Sequence, residues 1–279
     1  MMRGPHGVRV KYCTLTLTPF FLLLLAAADA SAAVHTETVE YRHGDVMLEG
    51  YLAYDDSTTA KRPGILVVHE WMGLGPYAKR RAEQLAQLGY IAFAADMYGK
   101  GVRAADHAEA ASLAGIYKSD RRLMRARIAA ALEQLKSYPM TDARRLAAIG
   151  YCFGGTAALE LARSGADVLG VVSFHGALDT PHPEDATHIK ARLLICHGGD
   201  DPYVHPADVE GLKQEMDQAG VRYRVIVYPG AVHSFTVAEA GDDPSKGMAY
   251  NAEADHASWE AMQAFFKEIF AESEVQNVG

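Results

Sequence analysis

Polar and apolar residues alternate along residues 36–41, the period of a half-buried strand. Gly44-Asp45 then supplies a turn, and residues 46–54 read as the antiparallel partner. Beyond residue 60 the alternation gives way to short, continuous apolar runs separated by helical stretches. The runs at 64–68, 90–95, 146–149, 168–174, 192–196 and 224–228 are expected strands. The segments 77–88, 123–138, 156–163, 209–219 and 248–270 are expected helices, the first of them ended by Gly89. Strands covered on both faces read as unbroken apolar runs, and helices between them serve as parallel crossovers. The pattern predicts an α/β domain with a mostly parallel, doubly wound sheet. Helices lie on both of its faces and an antiparallel hairpin forms its front edge.

The first 32 residues follow a different rule. Arg3, Arg9 and Lys11 precede an apolar stretch over 14–28, and Ala30-Ser31-Ala32 offers a small-residue cleavage pattern. This layout predicts a secretory signal peptide at 1–32 and an exported, periplasmic or secreted, single domain at 33–279. The apolar stretch falls short of the roughly 20 residues a bilayer span needs. The whole chain carries 27 basic against 35 acidic side chains, a net charge of −8. Cleavage would leave 24 against 34, or −10, which argues against nucleic acid or an anionic membrane as partner.

The strongest chemical signal is Gly150-Tyr151-Cys152-Phe153-Gly154-Gly155, between an expected strand and an expected helix. A G-x-S-x-G nucleophile elbow occupies that context, here with cysteine in the serine position. The turn would present the Cys152 sulfur beside a helix N-terminus, whose N–H groups favour a thiolate and a developing oxyanion. The N–H of Phe153, next after the nucleophile, is one expected oxyanion donor. A nucleophile of this kind needs a base and an orienting acid, in that chain order reversed: acid first, then histidine. Downstream, residues 193–202 run from a strand into a loop carrying Asp200 and Asp201, and residues 225–235 run from a strand into a loop carrying His233. The order nucleophile, acid, histidine is satisfied, with either aspartate eligible.

Four segments together resemble the dienelactone hydrolase family of α/β-hydrolases: residues 67–73, 150–155, 197–204 and 233–235. The resemblance covers nearly all of the mature domain. It implies an α/β-hydrolase fold and cleavage of a small carboxylic ester or lactone through an acyl-thioester, with no cofactor. It assigns the triad to Cys152, Asp201 and His233, gives Glu70 a part in activating the thiol, and places the second oxyanion N–H at Trp71. The arginine that follows the family's His-Ser-Phe by two residues is Val237 in this chain. Another family arginine falls in the loop holding Lys100. Lys100, Tyr98 and Phe235 are the expected substrate contacts.

Cys152 and Cys196 are expected to lie on strands two positions apart, about 9–10 Å, too far for a disulfide. His182, His188, His197 and His205 match no metal-ligand spacing, so no metal is expected. Two other function classes fit less of the pattern. A ligand-binding protein without turnover would have no need of all four polar site positions. A thiol redox protein would want a C-x-x-C partner for Cys152.

Overall fold

The computed structural model describes residues 34–276, with side chains through 273, and residues 1, 2 and 4 outside that stretch. The expected signal peptide otherwise lies outside the described residues.

Eight strands form one sheet. They are β1 (Val34–His43), β2 (Val46–Asp55), β3 (Arg62–Val68), β4 (Ile91–Ala95), β5 (Thr141–Tyr151), β6 (Gly170–Phe174), β7 (Arg192–Gly198) and β8 (Tyr223–Tyr228). Their order is β1-β2-β4-β3-β5-β6-β7-β8. The β1–β2 and β2–β4 pairs are antiparallel and the pairs from β4 to β8 are parallel. The helices are α1 (Pro76–Gln87), α2 (His107–Ser119), α3 (Arg121–Ser137), α4 (Phe153–Arg163), α5 (Pro206–Ala219) and α6 (Ala252–Gln276).

Period-2 geometry divides the central strands between two cores. In β3, Leu66 and Val68 face the core that contains Met124, Ile128 and Ala157 of α3 and α4. Ile65 and Val67 face the core built with Ala82 and Leu85 of α1 and Phe266 of α6. Both sets are fully buried, so every residue of the run is apolar for a reason. This is the expected doubly wound sheet with its antiparallel front edge.

Three differences from the sequence reading bear on the site. Helix α2 was not expected, because its alanine-rich stretch carries little apolar periodicity. Its start is fixed by Asp106, which accepts from the Glu109 N–H at 2.9 Å, while Glu109 accepts from the Ala105 N–H at 2.7 Å. Helix α4 begins at Phe153, three residues earlier than expected, because the nucleophile turn is itself the helix cap. Helix α6 begins at Ala252 rather than at residue 248. Residues just before it are held extended: the Ala249 N–H donates to the His233 carbonyl, and Asn251 Oδ1 accepts from the Ala254 N–H.

Candidate active site

Strand β5 delivers Cys152 to the carboxyl edge of the sheet, and α4 leaves immediately behind it. The turn is sharp enough that Cys152 takes φ 54°, a left-handed value rare for a side chain with a Cβ. Two glycines make this possible. A Cβ on Gly150 would lie 1.9 Å from the Gly154 carbonyl oxygen, and one on Gly154 would lie 2.2 Å from that of Val68. Backbone thus packs on backbone, and only hydrogen fits between.

The loops after β7 and β8 meet this turn. His233 Nε2 is 3.1 Å from Cys152 Sγ, and His233 Nδ1 donates to Asp201 Oδ2 at 2.8 Å. The other carboxylate oxygen of Asp201 accepts from the Tyr203 N–H at 2.8 Å. Asp201 is buried, whereas Asp200 is exposed and uses its backbone N–H to bind the Ala231 carbonyl. Burial therefore separates two aspartates that the chain order alone left equivalent. His233 is itself clamped between backbones, donating its N–H to Gly247 and accepting from Ala249.

Burial alone would lower the basicity of His233. The charge on Cys152 and the hydrogen bonds to Asp201 and Cys152 outweigh it, raising its pKa to about 10. An imidazole in this position holds a proton readily while a thiolate stands beside it.

A cavity of about 220 Å³ opens onto Cys152 and His233. Trp71, Phe153, Tyr203, Val204 and Met248 give it mainly apolar walls, and Lys118 stands at its edge. Phe153 occupies the first position of α4, where N–H groups have no partner within the helix. The loop that carries Trp71 is held from behind: the Tyr98 hydroxyl donates to the Trp71 carbonyl at 2.9 Å, and the Met97 N–H donates to His69 Nε2 at 3.2 Å.

Glu70 sits apart from the sulfur. Among the described residues its carboxylate makes no hydrogen bond to Cys152, whose thiol is turned to His233. It lines a neighbouring cavity of about 210 Å³ with Gly73, Tyr77, Arg103 and Glu239. Burial raises its pKa to about 7, against the opposing pull of the His233 charge.

The three expected substrate contacts also lie elsewhere. Lys100 pairs with Glu40, and at 3.7 Å with Glu49, along the exposed front edge. Glu40 and Glu49 belong to the β1–β2 hairpin, and two carboxylates there outcompete a distant cavity for its charge. Tyr98 lies behind Phe153, ring centroids 5.6 Å apart. Phe235 is fully buried against His175 and Tyr228. The cation at the cavity is Lys118, in the last turn of α2. The Asp106–Glu109 cap was the signal that could have placed it on a helix. Cys152 and Cys196 are free thiols, and β6 separates their strands as expected. Burial raises the Cys196 pKa to about 12, which leaves it an inert core residue.

The family model described as "Dienelactone hydrolase family" matches residues 48–270. A solved structure named m3DLH is 40% identical, with a TM-score of 0.82, covering 85% of this chain and 99% of its own. A dienelactone hydrolase-like promiscuous phosphotriesterase, P91 from metagenomic libraries, is 39% identical, with a TM-score of 0.81 and coverage of 85% and 99%. The dienelactone hydrolase of Anabaena variabilis is 25% identical, with a TM-score of 0.60 and coverage of 82% and 98%.

Proposed function

With the chain a member of the dienelactone hydrolase family and a carboxylic ester hydrolase, we propose that it cleaves small esters or lactones through a Cys152-His233-Asp201 triad and an acyl-thioester. The observation that carries this reading is the unbroken line from Cys152 Sγ through His233 to Asp201, 3.1 and 2.8 Å long, at the floor of an apolar cavity.

In this mechanism the Cys152 sulfur attacks the ester carbonyl carbon, with its proton held on His233 Nε2. Asp201 fixes the imidazole with Nδ1–H toward itself and stabilises the imidazolium. Negative charge develops on the carbonyl oxygen, where the N–H groups of Phe153 and Trp71 receive it. Collapse breaks the carbon–oxygen bond, and the leaving alcohol takes the proton from His233. Water, deprotonated by the same imidazole, then attacks the thioester and releases the acid and the thiol. Glu70, raised toward neutrality, is placed to influence the charge on His233 rather than to touch the sulfur. It acts on the pair through space.

The cavity volume suits a small substrate, and its walls suit an apolar acyl group. Lys118 is the cation available to an acidic substituent at the rim, in the role the sequence assigned to Lys100. The physiological setting we propose is outside the cytoplasm, after removal of residues 1–32. No cofactor enters any step.

A burst experiment tests the mechanism. Rapid mixing with excess p-nitrophenyl acetate should release one equivalent of nitrophenol per active chain before the steady state, and mass spectrometry should find an acetyl group on Cys152. Steady turnover with no acyl-enzyme at Cys152 would refute the covalent route. A panel of neutral esters, lactones, carboxylate-bearing esters and a phosphotriester then defines the substrate class.

A further inference from the structure

His175 has no part in the chemistry above, yet its ring lies 5.3 Å from that of His233 and is 1% exposed. Its backbone is left-handed, φ 40°. Among the described non-glycine residues the others of positive φ are Cys152 and Ser234, at 54° and 58°. One is the nucleophile and the other follows His233. Such conformations persist only where neighbours hold them, and His175 touches both loops.

The hydrogen bonds decide the state of its ring. The Cys152 N–H donates to His175 Nδ1 at 3.1 Å and to the Phe174 carbonyl at 3.0 Å. A nitrogen that accepts carries no proton, so the proton of the neutral ring is on Nε2. Nε2 is 2.8 Å from Thr236 Oγ1, three residues beyond His233. Thr236 is anchored in turn: its hydroxyl lies 2.6 Å from Tyr77 Oη, and its carbonyl accepts from Arg81 Nη2 at 3.0 Å. The His175 N–H donates to the Cys196 carbonyl at 2.9 Å, fixing the ring's base to β7.

We propose that His175 is a positioning residue, a neutral ring that holds the Cys152 peptide through Nδ1 and the His233 loop through Nε2–H and Thr236. It sets the distance between thiol and imidazole without touching substrate. The inference rests on Cys152 being the nucleophile. Imidazole suits the task because its two nitrogens sit on different edges of one rigid ring. An imidazolium would point Nδ1–H at the Cys152 N–H, donor against donor. Burial, followed by the charges of His233 and Arg81, pushes the His175 pKa well below the ordinary range, in the direction the hydrogen bonds require.

The test uses the full chain and p-nitrophenyl acetate, with His175→Leu, His175→Asn and Thr236→Val. His175→Leu keeps the volume and removes both hydrogen bonds. It should lower kcat about 100-fold and leave KM within about 3-fold, as expected when orientation rather than binding is lost. His175→Asn restores an acceptor to the Cys152 N–H and should recover kcat to within about 5-fold of the parent. Thr236→Val should cost about 10-fold alone and almost nothing further on top of His175→Leu, because both cut one linkage. A kcat for His175→Leu near that of the parent, or His175→Asn no faster than His175→Leu, would overturn the proposal. Should the leucine variant fail to fold, ¹⁵N-histidine spectra of the parent decide the matter. A ring that stays neutral with its proton on Nε2 from pH 5 to 9 supports the role, and a proton on Nδ1 or titration in that range ends it. Cys152→Ala is the control that separates the two readings. Turnover surviving in that variant removes the nucleophile itself, whereas an active His175→Leu enzyme that still needs Cys152 removes only this inference.

Discussion

At the amino end of α4, Cys152 meets His233 and Asp201 beside a cavity. At its carboxyl end, Glu160 and Arg163 meet in the dark. Asp201 and His233 at one end and Glu160 and Arg163 at the other are buried, Cys152 is partly exposed, and both clusters are made of ionisable groups. At the carboxyl end, Arg163 grips Glu215 with two N–H groups, each 2.8 Å from a carboxylate oxygen, and reaches Glu160 at 3.1 Å. Glu160 also accepts from Arg125 at 2.7 Å. Guanidinium does not release its proton, so these pairs are fixed and their value is geometric. At the amino end the partners are a thiol and an imidazole, which can pass a proton between them. The backbone differs in the same sense. All three left-handed non-glycine residues in the described chain lie around Cys152, and none lies around Glu160. One helix therefore has a fixed, ion-paired root and a strained, proton-mobile tip.

The largest effect should come from the tip. Cys152→Ala should reduce ester turnover at least about 10³-fold while the melting temperature stays near that of the parent. Unchanged rates on p-nitrophenyl acetate would erase the contrast between the two ends. Next, Asp201→Asn should cost about 10²–10³-fold in kcat, because the imidazole loses its orienting anion. Asp200→Asn, on an exposed side chain, should leave kcat within about 2-fold. The reverse ranking would move the acid by one residue.

The root should answer in stability rather than in rate. Arg163→Ala strands Glu215, whose side chain is 7% exposed, leaves Glu160 with Arg125 alone, and should destabilise the fold by about 3–5 kcal/mol in urea unfolding. The molecules that remain folded should keep kcat within about 3-fold, since no atom of the pair reaches the cavity. A large loss of kcat in fully folded protein would show that the two ends are not separable.

The smallest effect concerns Glu70. Its pKa of about 7 in the fold stands above the ordinary 4.5, so the folded chain binds that proton more tightly than the unfolded chain. Stability is therefore lost as pH rises from 4.5 to 7, and the penalty is complete above 7. Glu70→Gln should remove it, raising the melting temperature by several degrees at pH 8 and hardly at all at pH 4.5. Equal shifts at both pH values would mean the carboxylate is not destabilised by burial.

Much of this molecule could be read along the chain because the interactions that encode it are local. The apolar runs of β3, β4 and β6 announce strands covered on both faces, and Gly150 and Gly154 announce a turn with no room for side chains. Helix α2 escaped notice because alanine contributes little to apolar periodicity, and with it went Lys118. His175 gave no local signal at all. It reads as one more residue at a strand end, and its meaning comes from atoms of Cys152 and Thr236 that are 23 and 61 positions away.

By itself, the sequence determined the element types, the order of nucleophile, acid and histidine, and the kind of sheet that would bring them to one edge. These follow from side-chain periodicity and from the steric demands of glycine, which act over a few residues. Only the tertiary structure decided that Asp200 faces solvent, that the thiol lies against His233, that Lys100 pairs with Glu40, and that a neutral histidine ties the two loops together. Each of those is a choice among competing partners, and burial and distance, which make the choice, exist only once the chain has folded.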